Sequence, residues 1–292
     1  MNKSLKKQFL PSEQISRFII GWLIFFIVLM ALYFGGWVLS FGLLFIFWHV
    51  NTEFINIVRQ KGINPSNKWI RFISILFILV SSLPVIGFAK SLPIRLFIFV
   101  FIFGVIGCFF RLIFRGNKKD PIATIPDIGA SVLGLVYTGL LPSFFMLLRN
   151  LDFIYALVAI MSIAFCDVGA YYGGKLFGKT ALRPEISAKK TLEGAISGFI
   201  TSMIAAIILV YLNKESFSNN LFHGVMIGIF TGAFSQFGDL FESLLKRDAG
   251  LKDSGKALLS HGGILDRIDS YIFVVWAIYF YIDWFVLHNF SF

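Results

Sequence analysis

Nine long apolar runs divide the chain, each near the ~20 residues a helix needs to cross hydrocarbon. They cover roughly residues 18–34, 37–54, 69–88, 92–114, 130–148, 152–172, 194–212, 221–245 and 265–287. Gly35-Gly36, Asn64-Pro65, Leu92-Pro93 and Asn219-Asn220 fall at or between the runs, as helix breakers should. The first run pairs closely with the second, the third with the fourth and the fifth with the sixth, which predicts helical hairpins. The pattern predicts an all-α polytopic membrane protein of about nine transmembrane helices. Residues 1–150 supply few polar groups and read as a lipid-facing scaffold. Residues 151–292 carry the more polar loops.

Composition agrees with this. The 292 residues are 57% apolar and only 14% charged, and they include 36 Phe, 9 Tyr and 6 Trp. Soluble domains average ~25% charged residues. So many aromatic side chains overfill one soluble core but suit a surface facing acyl chains. Cys108 and Cys166 lie far apart in apolar runs, so neither a disulfide framework nor a zinc ligand set is expected. Lys3, Lys6, Lys7 and Arg17 before the first run look like a signal peptide, but no small-residue cleavage site follows. That run is expected to be retained as the first span.

Charge sets the expected orientation. With the amino terminus inside, all of the 26 Lys and Arg residues except Lys90, Arg95, Arg149 and Lys214 fall in inner segments. The positive-inside rule then predicts a cytoplasmic amino terminus and an outside carboxyl terminus. It also accounts for the net charge of +10 without nucleic acid. The expected location is a bacterial-type plasma (inner) membrane.

Ionisable groups in or at the edge of a span are costly and usually mark function. Asp167 lies late in the sixth run, and Asp239 and Glu242 lie late in the eighth. Asp266 and Asp269 open the ninth. With ~1.5 Å rise per residue, these acids fall within roughly two turns of the cytoplasmic surface. Asp239, Glu242, Ser243 and Lys246 share one helix face, and Asp266, Asp269 and Ser270 share another. Two such faces suit a hard cation such as Mg²⁺, which takes one or two carboxylates and completes its shell with water and phosphate oxygens. The same acids also fit as structural ion-pair partners of Lys246, Arg247 and Arg267. Glu53, the one acid in the amino-terminal runs, fits either a helix neighbour or the inner interface.

Phosphate-binding chemistry surrounds these acids. Ser187, Lys189, Lys190 and Thr191 precede the seventh run, and Lys246, Arg247, Lys252 and Lys256 load the next inner loop. His261-Gly262-Gly263 leads into Asp266-Arg267. Adjacent glycines let backbone N–H groups approach an anion, and a helix amino terminus adds a favourable dipole. In that setting His261 reads as a phosphate-binding or proton-transfer group. Lys175 and Lys179 are explained by orientation alone.

The stretch from Ser243 to Asp269, with Lys246-Arg247, Lys252-Asp253, His261-Gly262-Gly263, Asp266-Arg267 and Asp269 in place, closely resembles the signature of phosphatidate cytidylyltransferases (CDP-diacylglycerol synthases). Asp167 through Tyr171, with Gly173, Phe177, Gly178 and Lys179, is similar to that family's central block. The Ser187–Gly194 run is similar to its Ser-Pro-Lys-Lys-Thr-Trp-Glu-Gly block. Ala188, Leu192 and Leu259-Ser260 depart from the family pattern without removing a charged or metal-type residue.

The resemblance implies transfer of CMP from CTP to phosphatidic acid of the inner leaflet, giving CDP-diacylglycerol and pyrophosphate with Mg²⁺ required. It leaves open whether a second cation binds. A homodimer is implied by family analogy alone. Taken with the residue reading, it makes Asp239 and Asp266 the expected metal ligands, assisted by Asp167 or Asp269. Lys189, Lys190, Lys246, Arg247, His261 and Arg267 become expected phosphate clamps, with Ser187, Thr191, Gly262 and Gly263 donating. A CTP-dependent transferase acting on another membrane lipid, or an ion-coupled transporter, are the alternative readings.

Overall fold

The computed structural model describes residues 26–114, 122–255 and 262–288. Residues 26–34 are helical. The main helices that follow are α1 (Gly36–Arg59), α2 (Asn67–Ser81), α3 (Leu92–Ile113), α4 (Ile125–Leu151), α5 (Phe153–Phe177), α6 (Leu192–Leu212), α7 (Phe222–Asp248) and α8 (Leu265–Leu287). All except α2, seven in total, are long and apolar enough to cross a membrane. Phe41, Phe45, Phe99, Ile113 and Tyr211 are exposed, an apolar surface that hydrocarbon, not water, would cover. The chain is an α-helical polytopic membrane protein.

Two of the nine expected runs differ from simple spans in the described residues. Helix α2 has only 15 residues, and a 3-10 turn over Leu83–Ile86 follows it. Pro84, the second residue of that turn, has no N–H for the Val80 carbonyl four residues back, so the α-helical hydrogen-bond ladder cannot run through it. The first run is described only from residue 26 onward, and residues 18–25 lie outside the described residues.

Hydrogen-bond bookkeeping accounts for the irregular backbone, since a buried carbonyl in a membrane has no water to turn to. Helix α4 widens into a π-helical turn over Val136–Leu140, just ahead of Pro142. Proline has no N–H for the carbonyl four residues back, which is Thr138 O. The buried Asn51 side chain of α1 donates to that oxygen at 3.5 Å. Its own Oδ1 accepts from Ser74 and lies 3.0 Å from the Thr138 hydroxyl. Arg149 acts similarly at the Gly35-Gly36 break, donating to Leu32 O at 2.7 Å and Tyr33 O at 3.1 Å. Gly35 has φ of 57°, and a Cβ there would lie 2.7 Å from the Arg149 guanidinium, so only glycine fits.

Small residues let the carboxyl-terminal helices approach closely, as membrane helix pairs require. Gly224, Gly228 and Gly232 of α7 face Ile207, Met203 and Phe199 of α6. Gly238 of α7 lies against the Asp269 carbonyl of α8, which brings the neighbouring Asp239 beside the acidic end of α8. Between α5 and α6 the chain forms an antiparallel hairpin of β1 (Ala181–Arg183) and β2 (Ser187–Thr191). It is the only sheet among the described residues.

Candidate active site

The ends of α5, α7 and α8, with the β-hairpin, enclose a cavity of about 500 Å³. Asp167 comes from α5, Asp239 from α7, and Asp266, Asp269 and Ser270 from α8. Lys189, Lys190 and Thr191 come from β2, and Lys175 from the last turns of α5. Four carboxylates and three ammonium groups thus face one space.

The hairpin stands where it does because both of its ends are tied. Leu192 N donates to Thr180 O at 2.9 Å. The Glu193 carboxylate accepts from Lys179 N at 3.0 Å and Thr180 N at 3.1 Å. Thr191 caps α6, its Oγ1 accepting from Gly194 N at 3.1 Å. Arg247, at the end of α7, donates from Nε to Ile186 O at 3.2 Å and from Nη1 to Leu251 O at 2.8 Å. These bonds put Lys190 Nζ 2.6 Å from Asp239 Oδ2.

A second ion-pair chain runs behind the first. Lys246 pairs with Glu242 one helical turn away and with Asp266 Oδ1 at 2.6 Å. Asp266 Oδ2 accepts from Gly263 N at 2.8 Å and Ser254 N at 3.0 Å. Asp266 is therefore held on both oxygens, whereas Asp239 meets one lysine. Asp167 Oδ1 accepts from the Ser235 hydroxyl at 3.4 Å, and Asp269 Oδ1 from Ser270 N at 2.8 Å.

The donor set fits a hard divalent cation. Its acids, Asp167, Asp239, Asp266 and Asp269, are all oxygen donors; Glu242 Oε1 is buried with no hydrogen-bond partner among the described residues but does not line the cavity. Among those residues no three acidic, histidine or cysteine side chains form a metal-holding group.

Of the residues singled out in the sequence, Asp167, Lys189, Lys190, Thr191, Asp239, Asp266 and Asp269 line the cavity. Ser187 opens β2 but does not line it, and Lys246 reaches it only through Asp266. Arg247 and Arg267 are exposed and not among the lining residues. Gly262 and Gly263 adjoin Asp266, while His261 and Leu259-Ser260 lie outside the described residues. Lys175, Tyr171, Ser235 and Gln236 line the cavity although the sequence reading gave them no role. Ser235 and Gln236 sit four and three residues before Asp239, so the helical spacing that grouped the acids of α7 already pointed to them.

A model of the cytidylyltransferase family matches residues 15–285. The phosphatidate cytidylyltransferase of Synechocystis sp. is 31% identical over 302 residues, spanning 94% of this chain and 97% of its own length. Phosphatidate cytidylyltransferase 4, chloroplastic, of Arabidopsis thaliana is 32% identical over 271 residues, covering 82% of this chain and 66% of its own. The phosphatidate cytidylyltransferase of Bacillus subtilis reaches 40% over 163 residues, covering 54% of this chain and 59% of its own.

Proposed function

The chain belongs to the cytidylyltransferase family, and from that premise we propose that it transfers CMP from CTP to phosphatidic acid, giving CDP-diacylglycerol and pyrophosphate. An oxygen of the lipid phosphate attacks the α-phosphorus of CTP. That P–O bond forms as the bond from the α-phosphorus to the bridging oxygen breaks, and pyrophosphate leaves with the electron pair. Such transfers ask the protein mainly for positioning and charge stabilisation.

The observation that carries this reading is the single cavity shared by acids from three helices and the lysines of β2. Lys190 and Lys189 bind CTP phosphates, and the Thr191 hydroxyl, while its oxygen caps α6, keeps its proton to donate to them. Lys190 leaves Asp239 as it takes up phosphate, so each cation or anion that enters replaces a partner already present. Asp239 and Asp266 would hold Mg²⁺, with Asp167 and Asp269 lining the same cavity. When bound, Mg²⁺ screens the two phosphate groups from each other and stabilises charge that develops in the transition state. Lys246 keeps Asp266 oriented, and Arg247 holds the hairpin over the cavity.

We place the cavity at the cytoplasmic face of a nine-span protein in the plasma membrane, with residues 1–150 as scaffold and residues 151–292 as the catalytic half. The lysine asymmetry supports this orientation, and a lipid headgroup reaches such a site laterally while the nucleotide arrives from water. The test is purified protein in detergent with CTP labelled at the α-phosphate, with and without phosphatidic acid and Mg²⁺. Label is expected in lipid only when both are present. Label transfer that ignores the lipid, or none with everything supplied, overturns the assignment.

A further inference from the structure

Helix α8 begins with its first amides pointing at a charge from the far end of the chain. The residue at its N-cap, Ile264, has no side-chain acceptor to offer. A helix start leaves several N–H groups without partners, and in a membrane protein these must be satisfied internally. Glu53 of α1 supplies the acceptor. Its Oε1 accepts from Ile264 N at 3.0 Å and its Oε2 from Leu265 N at 2.8 Å. The Ser254 hydroxyl lies 2.9 Å from the same Oε2 and 3.0 Å from Asp266 Oδ2, so its single proton bridges the two carboxylates.

The fit around Glu53 is tight. It is only 5% exposed. A Cβ on Gly255 would lie 2.7 Å from Glu53 Oε1, and one on Gly263 would overlap both the Glu53 carboxylate and the Ser254 hydroxyl. Both glycines therefore let the backbone close on this carboxylate. A buried carboxylate costs several kcal/mol unless it is hydrogen-bonded. Here helix amides and the positive end of the α8 dipole offset that cost. The anion position at this helix start is thus filled by the protein's own acid.

The same backbone carries Asp266. Ser254 N and Gly263 N, which fix Asp266 Oδ2, belong to the two segments that Glu53 draws together. We propose that Glu53 is a positioning residue for the reaction: by holding the Ser254–Gly255 and Gly263–Leu265 backbones together, it sets the orientation in which Asp266 faces the cavity. This rests on the proposed cytidylyl transfer. It also gives the amino-terminal half, otherwise a scaffold, one direct connection to the chemistry.

The experiment compares wild-type, Glu53→Gln and Glu53→Ala full-length protein in detergent by two readouts. The first is hydrogen exchange of amides 262–267, where loss of charge-assisted hydrogen bonds is expected to speed exchange in Glu53→Ala by roughly 10- to 100-fold. Amides of α5 and α6 are expected to keep their wild-type protection. The second is the Mg²⁺ concentration for half-maximal CMP transfer, expected to rise roughly tenfold in Glu53→Ala. Glu53→Gln, which keeps one oxygen acceptor, is expected to fall between wild type and Glu53→Ala on both.

Unchanged exchange at 262–267 in Glu53→Ala overturns the proposal. So does a loss of activity with wild-type Mg²⁺ dependence and no rescue by Gln, which is what a purely structural role gives. Wild-type protein that transfers no CMP sinks the cytidylyltransferase reading instead, and the exchange arm still decides whether Glu53 holds the loop.

Discussion

The two halves of this protein use buried polar residues in opposite ways. In the half up to Leu151, two polar side chains, Asn51 and Arg149, serve breaks in the helical backbone. Asn51 takes the carbonyl that Pro142 leaves without a donor, and Arg149 caps the helix that ends at Gly35. These groups are scattered, and each meets its partner close by. After Asp152 one set of polar residues converges. Asp167, Lys190, Asp239, Asp266 and Asp269 come from separate elements and line one cavity. Polar groups that only keep a membrane helix satisfied need one partner each. Polar groups gathered from many elements into one space are there for something that enters it. Glu53 is the exception that crosses between the halves.

Substitutions break this contrast in graded ways. Asp239→Asn is expected to have the largest effect. It removes a cavity charge and should lower kcat by about 10²- to 10³-fold, the range for losing one electrostatic contact in a transition state. The protein should still insert and elute as wild type does; near-normal turnover would remove Asp239 from the reaction. Lys190→Ala is expected next, raising the KM for CTP roughly 10- to 100-fold, the worth of one charge-assisted hydrogen bond. An unchanged nucleotide dependence would rule out that contact.

The amino-terminal half should respond in stability, not chemistry. Asn51→Leu leaves Thr138 O without its side-chain donor and should cost about 1–3 kcal/mol. A thermal unfolding scan in detergent checks this, while kcat and KM of the remaining folded protein should match wild type. A selective loss of kcat there would blur the division between the halves. The smallest effect is expected at Lys61, whose ion pair with Asp248 is 3.0 Å long but 44% and 62% exposed. Lys61→Ala should change stability by less than about 1 kcal/mol, as solvent and salt already screen such pairs.

The same division governs how much was legible in the sequence. The apolar run at 265–287 matches Leu265–Leu287, and that at 221–245 falls within a residue of the start of Phe222–Asp248. Hydropathy reads transfer into lipid, and these helices are bounded by the polar residues that end that transfer. It fails where a helix outlasts its apolar stretch. The run ending at residue 54 continues as helix to Arg59, carrying Glu53 inside. It fails too where hydrogen bonding, not polarity, stops the helix, as at Pro84 after α2.

The β-hairpin left no hydropathy signal, because Ser187–Thr191 is polar and pairs with a segment of only three residues. The acids of the cavity and Lys189 and Lys190 were legible from helical spacing and motif, whereas Lys175 was not. Which of them face the cavity was not. Arg247 looks like any basic loop residue until its bonds to Ile186 and Leu251 are seen. Glu53 was visible as a costly charge, but its partner lies 211 residues on, beyond any local pattern.

The most direct test of a single shared site is a double-mutant cycle on Lys190 and Asp239, read as kcat/KM for CTP in the labelled-lipid assay. If β2 and α7 serve one reacting complex, the Lys190→Ala/Asp239→Asn double variant should be no more than a few-fold worse than the poorer single variant, because residues acting as a unit lose their joint effect once. Losses that multiply across the two substitutions would mean the lysine and the aspartate work independently, and the shared site would be contradicted.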